Sequence, residues 1–580
     1  MRTLAILMTS TNCFRRPFSD GEQLLTRFGG QSVLAHVTAA LRQVSEIERT
    51  LILLPPEASA ALRAECTSLD LTVPACGSAP YTTDLALHLA DEAGAEELLL
   101  LSAHTLLVDP ALTREMLARH RQSGAAETLT ALPRMAPFII SMAAVRRIMQ
   151  EQNTGAPGGT SILEQLVADP QRYAQDVVPL PGPDTPDVTT LNFLHPAQEP
   201  AFAALWAAAG GRGAAAVRQY VAEHAAAFTS FPRWAQVEVT SRCNQACPVC
   251  PHARRNVQTD LADGAFSRIV DGLAWNTGVA GIDIAGFGEP LLHPGLRDFI
   301  DRATARQLEL FLYTNGTLWD RSWSEFVLAP ERQLGTSGLR GIVFTINGTT
   351  PEAYRAFHGT DDLARVRRAV KELLLMKRER GLRLPVVAVQ IVKCTATDTN
   401  IEAFWQEWNF AERFERQRWP DYDHAAEQSQ LRLQTITIER EDSSSAQQEA
   451  KLAALHTAYQ SRRQDAFYRH AELPLEHVVI QRCNDYAGQL PDLRVVDYTP
   501  LQRFACRQAA YGLMVLADGT VTACQQDFNG TMALGNLHER DLPDLWNDPR
   551  CTALRHAQQS GDYATTPLCA ACRDWFIPMV

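Results

Sequence analysis

No stretch of this chain reaches the ~20 uninterrupted apolar residues that a bilayer-spanning helix needs, so an integral membrane protein is not expected. The first residues, Met1-Arg2-Thr3-Leu4-Ala5-Ile6-Leu7-Met8, hold one basic residue and an apolar run too short for the core of a signal peptide. That run reads as a buried strand, and the expected location is the cytoplasm. The net charge is −12 and there is no block of Lys and Arg. A nucleic-acid binder normally shows a clustered basic face, so nucleic acid is not an expected partner. There is no internal repeat. Apolar residues at 46% and charged ones at 21% are ordinary globular usage, and the length leaves room for roughly three to five domains.

What is present is cysteine, unevenly placed. Of thirteen, Cys13, Cys66 and Cys76 are scattered in the N-terminal third, Cys243, Cys247 and Cys250 crowd together, and most of the rest lie beyond residue 480. In a reducing compartment such clustering points to metal or catalysis more than to disulfides.

Residues 1–195 alternate candidate strands (3–8, 50–54, 97–101 and 138–142) with amphipathic stretches such as 32–43. This is the pattern of a mostly parallel, doubly covered α/β sheet. The segment 181–186, rich in proline, marks the exit. Residues 196–233 are Ala-rich and broken by Gly210-Gly211-Arg212-Gly213, which suggests two connecting helices. From Trp234 the alternation restarts, with strands expected at 235–240, 281–286, 308–314, 341–345, 386–392 and 478–481 and one helical segment over 351–380. A charged stretch at about 410–475, containing Glu441-Asp442-Ser443-Ser444-Ser445, reads as an insertion. Without it, 234–485 holds enough chain for roughly six strand–helix units at about 31 residues each. The expected architecture is an open, partial (β/α)6 barrel with its site in the loops after the strands. Residues 486–580 form a small cysteine-rich domain.

Cys243-Asn244-Gln245-Ala246-Cys247-Pro248-Val249-Cys250 follows directly on the first of these strands. Structural zinc wants four closed ligands, and only His252 could complete a zinc knuckle locally. A [4Fe–4S] cluster on three thiolates instead leaves one iron open to an outside ligand, which marks reactivity.

The C-x3-C-x2-C spacing after the first strand of a six-unit barrel resembles the radical S-adenosylmethionine superfamily. Gly286-Phe287-Gly288-Glu289-Pro290, ending the second strand, is similar to the family's Gly-Glu-Pro motif. The resemblance implies that Gly286, Gly288, Glu289 and Pro290 receive the methionyl ammonium, for which a carboxylate and strand-end carbonyls are suitable acceptors. Asn315 in Tyr313-Thr314-Asn315-Gly316, Thr345 and Asn347 in Thr345-Ile346-Asn347-Gly348, and Gln390 are the further cofactor-contacting residues it implies. In particular, Thr345 and Asn347 would face the ribose and carboxylate. The family usually has an aromatic residue before the third cysteine, and this chain has Val249.

Nearer the C-terminus, 513–524 reads as a hairpin around Asp518-Gly519, a strong turn dipeptide. Cys506, Cys524, Cys569 and Cys572 make a four-thiolate set that suits zinc and iron–sulfur equally well. The pattern resembles the SPASM extension, which carries auxiliary [4Fe–4S] clusters; four of its seven cysteines are matched, implying one auxiliary cluster, with Cys394, Cys483 and Cys551 as bystanders. Segments such as 478–486 and 500–506 are similar to the spiro-SPASM proteins, which also carry a nucleotidyltransferase-like N-terminal domain.

In the N-terminal domain, Gly29-Gly30-Gln31-Ser32-Val33 resembles the cytidylyltransferase segment after the nucleotide loop. However, Ala103 or His104 stands where that fold's metal-binding Asp belongs, and Met8-Thr9-Ser10-Thr11-Asn12 lacks a Gly-rich phosphate cradle. The domain is expected to be non-catalytic, with Asp109 capping a helix before Pro110. The implied activity is reductive cleavage of S-adenosylmethionine to a 5′-deoxyadenosyl radical that takes hydrogen from a peptide or sugar-like substrate, with flavodoxin or ferredoxin as electron donor. The rival readings are a zinc-binding adaptor without turnover and an active nucleotidyltransferase.

Overall fold

The structure, a computed structural model, describes residues 2–9, 22–54, 58–74, 83–130, 137–153, 172–178, 199–211, 213–224, 234–255, 258–274, 281–332, 338–382, 384–408, 422–439, 477–497 and 505–575, with isolated residues outside those runs. Cys13, Cys76, residues 10–12 and 181–186, and most of the 410–475 insertion lie outside them.

Six N-terminal strands, β1 (Thr3–Met8), β2 (Ile47–Leu53), β3 (Glu97–Ser102), β4 (Glu127–Thr130), β5 (Phe138–Ser141) and β6 (Gln175–Val178), form one sheet in the order β2-β1-β3-β5-β4-β6. β1 lies parallel to both β2 and β3, while β5 runs antiparallel to its neighbours. Every side chain of β1 is buried. Because successive residues face opposite sides, Ala5 and Leu7 join one apolar core and Leu4, Ile6 and Met8 the other. The sheet is therefore covered on both faces. β4 and β6 are not among the strands expected from sequence; both are short and polar. Helices α1 (Val33–Leu41), α2 (Glu199–Ala208) and α3 (Ala214–Glu223) pack on the same core through Val37, Trp206 and Val217.

Six further strands follow: β7 (Trp234–Val237), β8 (Gly281–Ile284), β9 (Glu309–Thr314), β10 (Gly338–Thr345), β11 (Val386–Lys393) and β12 (His477–Arg482). They pair in parallel and in sequential order. Their apolar runs pack one face against α4 (Asp263–Ala274), α5 (Leu296–Ala305) and the helices after β10. Phe311, Val343, Val386 and Ala388 line the other face.

Two features differ from expectation. The 351–380 segment is two helices, α6 (Pro351–His358) and α7 (Leu363–Glu379), separated at Gly359 with φ +75°. A left-handed residue ends a helix, and glycine adopts that conformation without strain. Second, the C-terminal hairpin does not stand apart. Its strands β13 (Gly512–Val515), β14 (Thr520–Thr522) and β15 (Ala533–Asn536) extend the same sheet, with β13 parallel to β7.

Candidate active site at the ends of the parallel strands

Because β7–β11 run parallel, the loops after them open on one edge of the sheet, and the site residues expected in this region follow or end one of these strands, except Gln390, which lies within β11. The loop after β7 is pinned before it reaches the cysteines. Thr240 Oγ1 donates to Asp260 at 2.6 Å, Arg242 forms an ion pair with the same carboxylate at 2.7 Å, and Arg242 O accepts the Glu289 N–H at 2.8 Å.

Cys243, Cys247 and Cys250 then stand close enough to act on one another's charge. Burial raises all three thiols, Cys250 to about 12, and Cys247 is raised further by Cys250 and Cys243. Thiols that burial keeps protonated ionise when a metal supplies the missing positive charge. Among the described residues no three His, Cys, Asp or Glu side chains converge as a single-ion site requires; a four-iron cube takes each thiolate on a separate iron. The donor set fits such a cluster. His252 contributes a backbone N–H to Cys250.

Glu289 is almost fully buried and accepts three hydrogen bonds: from Thr314 Oγ1 at 2.7 Å, Asn315 N–H at 2.8 Å and Leu291 N–H at 3.0 Å. Burial nevertheless pushes its carboxyl above the ordinary range, and the hydrogen bonds only partly offset that. The approach of the strands demands glycine at 288, where a Cβ would stand 2.0 Å from Thr240 O and 2.7 Å from Arg242 O. At Gly286 a Cβ would meet Glu238 Cβ at 2.6 Å. Pro290 opens a short 3-10 turn capped by Glu289.

Asn315 donates from Nδ2 to Asn244 Oδ1 at 2.8 Å, tying the third strand's loop to the cysteine loop. Thr345 and Gln390 are register partners across β10 and β11, with side chains 3.5 Å apart. Asn347 is buried, and its Oδ1 accepts the Val392 N–H at 2.7 Å. Two residues that sequence reasoning passed over sit among these. Gln245 donates to the Tyr354 hydroxyl at 2.9 Å, and His358 Nδ1 lies 3.2 Å from Cys247 Sγ. A cavity of about 300 Å³ is lined by Cys243, Asn244, Gln245, His358, Gly359 and Thr360.

At the C-terminal end Cys506, Cys524, Cys569 and Cys572 line one pocket. Burial raises Cys524 well above its usual value, and Cys506, Cys572 and Cys569 raise it further. Cys569 and Cys572 are raised to about 11 and about 12, again chiefly by burial. Four converging thiols whose thiolate charges would repel one another without a metal suit a fully ligated cluster. Cys551 is buried elsewhere, its sulfur accepting from Arg555 at 3.0 Å. Cys394 and Cys483 lie side by side after β11 and β12, in an apolar cluster that touches Cys247. In the N-terminal domain Ala103 and His104 are buried at the end of β3, with His104 Nε2 3.2 Å from Thr9 O, and Asp109 caps the helix that starts at Pro110.

Residues 237–387 match the family model of the radical SAM superfamily, and residues 506–573 match SPASM, an iron–sulfur cluster-binding domain. The first implies a [4Fe–4S] cluster and S-adenosylmethionine, the second auxiliary iron–sulfur. Among curated relatives, an uncharacterized protein of Treponema pallidum is 30% identical over 112 residues, 19% of this chain and 30% of that one. The tungsten-containing aldehyde ferredoxin oxidoreductase cofactor-modifying protein of Pyrococcus furiosus is 27% identical over 164 residues, 28% of this chain and 43% of its own length. The S-adenosyl-L-methionine-dependent 2-deoxy-scyllo-inosamine dehydrogenase of Niallia circulans is 32% identical over 56 residues, 10% and 22%. The chain thus spans less than half the length of each of these three relatives. By its strand-end cysteine loop and its C-terminal thiols alike, this chain carries a radical SAM domain and a SPASM domain.

Proposed function

We propose that this protein is an enzyme that cleaves S-adenosylmethionine reductively and abstracts hydrogen from a peptide or sugar-like substrate. In this reading β7–β12 are a partial (β/α)6 barrel within residues 234–485, and the 486–580 region holds one auxiliary cluster on Cys506, Cys524, Cys569 and Cys572. Residues 1–195 form a nucleotidyltransferase-like, non-catalytic domain, and 196–233 its connector. The observation that carries the proposal is the convergence of three partly buried thiols and the buried Glu289 on one edge of the parallel sheet, beside a cavity.

A [4Fe–4S] cluster bound by Cys243, Cys247 and Cys250 would supply the electron that breaks a carbon–sulfur bond of S-adenosylmethionine, giving methionine and a 5′-deoxyadenosyl radical. The chain's own part is to position. Glu289, already held by Thr314, Asn315 and Leu291, presents a carboxylate that needs no reorganisation to take an ammonium. That ammonium in turn favours the charged form which burial opposes. Thr345 and Asn347, at the end of β10, would contact the ribose and carboxylate, Gln390 within β11 is a further cofactor contact, and Gly286, Gly288 and Pro290 would shape the strand end that receives the amine. A low-potential donor such as flavodoxin or ferredoxin would feed the site, in the cytoplasm.

The test is anaerobic. Reconstituted protein with dithionite and S-adenosylmethionine should release 5′-deoxyadenosine, and Cys250→Ala should abolish it. Zinc in place of iron, or product from Cys250→Ala at the wild-type rate, overturns the proposal. Incubation with CTP should release no pyrophosphate.

A further inference from the structure

Of the three thiols in the β7 loop, Cys243 and Cys250 receive only backbone N–H groups, from Gln245 and Asn244 and from His252. Among the described residues Cys247 is the one met by a side-chain donor. His358, 1% exposed at the end of α6, places Nδ1 3.2 Å from Cys247 Sγ. Its other nitrogen decides what that contact is. Nε2 lies 3.1 Å from the backbone nitrogen of Asn347. A peptide N–H can only donate, so Nε2 must carry a lone pair and the ring proton must sit on Nδ1. The tautomer is fixed by the hydrogen bonds alone, and Nδ1–H points at the sulfur.

The backbone holds this arrangement from both sides. The Ala246 N–H, one residue before Cys247, donates to His358 O at 3.1 Å, and Gly359 turns the chain sharply after the ring. Asn347 is itself fixed by Val392. One imidazole therefore links the cysteine loop to the strand-end motif that holds Asn347, across a span of more than a hundred residues.

We infer that His358 is a positioning residue that donates a hydrogen bond to the Cys247 thiolate and sets the reduction potential of the cluster bound there. The inference rests on the proposed function for the cluster's presence but not for the geometry. A hydrogen bond to a cluster sulfur stabilises the more negative, reduced state more than the oxidised one. His358 thus raises the potential into the range of a cellular donor. Outer hydrogen bonds of this kind orient and tune a metal's ligands.

Two substitutions separate the two arms of the ring. Gln can reproduce the acceptor near Nε2 but offers Cys247 no donor; Asn can reproduce the donor near Nδ1 but not the acceptor. In reconstituted full-length protein, His358→Gln should shift the reduced-to-oxidised ratio at fixed potential by roughly tenfold toward oxidised, about 59 mV lower for one electron. His358→Asn should stay near wild type in potential while its affinity for S-adenosylmethionine changes. A merely structural histidine would move neither potential selectively. Wild-type protein labelled with histidine carrying 15N in the imidazole ring alone, so that the His252 backbone N–H on Cys250 stays silent, provides a readout that needs no variant. Pulsed EPR of the reduced signal that responds to S-adenosylmethionine should show a 15N coupling. Absence of that coupling, or an unchanged potential in a His358→Gln protein with full iron content, overturns the inference. Absence of iron on residues 243–250 in wild type overturns instead the proposed function.

Discussion

Glu238 and Ala517 are joined across 279 positions of sequence by one hydrogen bond, from the Ala517 N–H to Glu238 Oε2 at 3.0 Å. The other oxygen of that carboxylate accepts the Phe287 N–H at 3.2 Å and pairs with Arg255. Glu238 thereby ties together the strand before the cysteine loop, the strand end carrying Glu289, and the C-terminal hairpin. Its side chain is fully buried and that of Arg255 nearly so. Glu238→Ala strands the Arg255 guanidinium in an apolar setting, for which the cost is about 3–5 kcal/mol. Glu238→Gln keeps the shape and should cost less. Denaturant titration followed by bleaching of the cluster absorption should show a large midpoint shift for Ala and a smaller one for Gln. Equal, small shifts would show that Arg255 finds water.

Gly288 offers a sharper steric test. The backbone oxygens that a Cβ would strike, Thr240 O and Arg242 O, belong to the segment leading into Cys243 and cannot swing aside as a side chain could. Gly288→Ala should therefore displace the cysteine loop, lowering iron content and removing S-adenosylmethionine binding together. Gly264→Ala, in α4 with nothing within 4 Å of the new methyl, is the matched control and should change neither. Iron analysis and equilibrium binding on both variants settle the point; a Gly288→Ala protein that binds normally refutes the close approach.

The raised carboxyl of Glu289 sets a direction for pH. Its folded pKa lies above the unfolded value, so the folded chain takes up this proton first as pH falls. The stability Glu289 contributes is present at low pH and is lost as pH rises through the raised pKa. Under the proposed function binding runs the other way, because a protonated carboxyl no longer attracts an ammonium. Affinity for S-adenosylmethionine should weaken as pH drops through a midpoint above the ordinary carboxylate range. Glu289→Gln should flatten that profile and weaken binding at neutral pH by roughly 10- to 100-fold, as expected for a hydrogen bond to a charged group worth about 1.5–3 kcal/mol. A variant profile with the wild-type midpoint would assign the titration to another group.

The parallel strands were legible in the sequence because, apart from the half-buried edge strand β12, both their faces are buried and they read as near-continuous apolar runs. β1 and β8–β12 all stand close to where that pattern puts them. β4 and β6 were not legible. Their polar residues are buried only through pairing that no local pattern announces: Gln175 with Glu127, and Asp176 with Arg119 at 2.7 Å. The pairing of β13 with β7 is equally silent, since Gly512-Leu513-Met514-Val515 would look the same in a free hairpin. In the site, the cysteines and Glu289 declared themselves by spacing and motif. His358 did not, because the apolar periodicity over 351–380 runs on through Gly359, and a histidine before a helix-ending glycine carries no motif. The glycine inside that run was the available signal.

The four C-terminal thiols make the last test, and it separates cluster ligands from buried bystanders. Cys524 feels the charge of Cys506, Cys569 and Cys572, whereas Cys551, fully buried, faces Arg555. If the four thiols ligate a cluster, removing one leaves three whose thiolate charges burial and mutual repulsion disfavour, so that the site no longer holds its iron. Cys524→Ala should accordingly lower the iron content of reconstituted protein by about half, while the cluster on Cys243, Cys247 and Cys250 and the release of 5′-deoxyadenosine from S-adenosylmethionine in the absence of substrate persist. Cys551→Ala loses only a buried contact and should keep its full complement of iron. The two variants, analysed side by side for iron and sulfide, distinguish the readings. Equal iron in both would remove Cys524 from the ligand set, and zinc released by Cys524→Ala in place of iron would make the C-terminal site a structural ribbon.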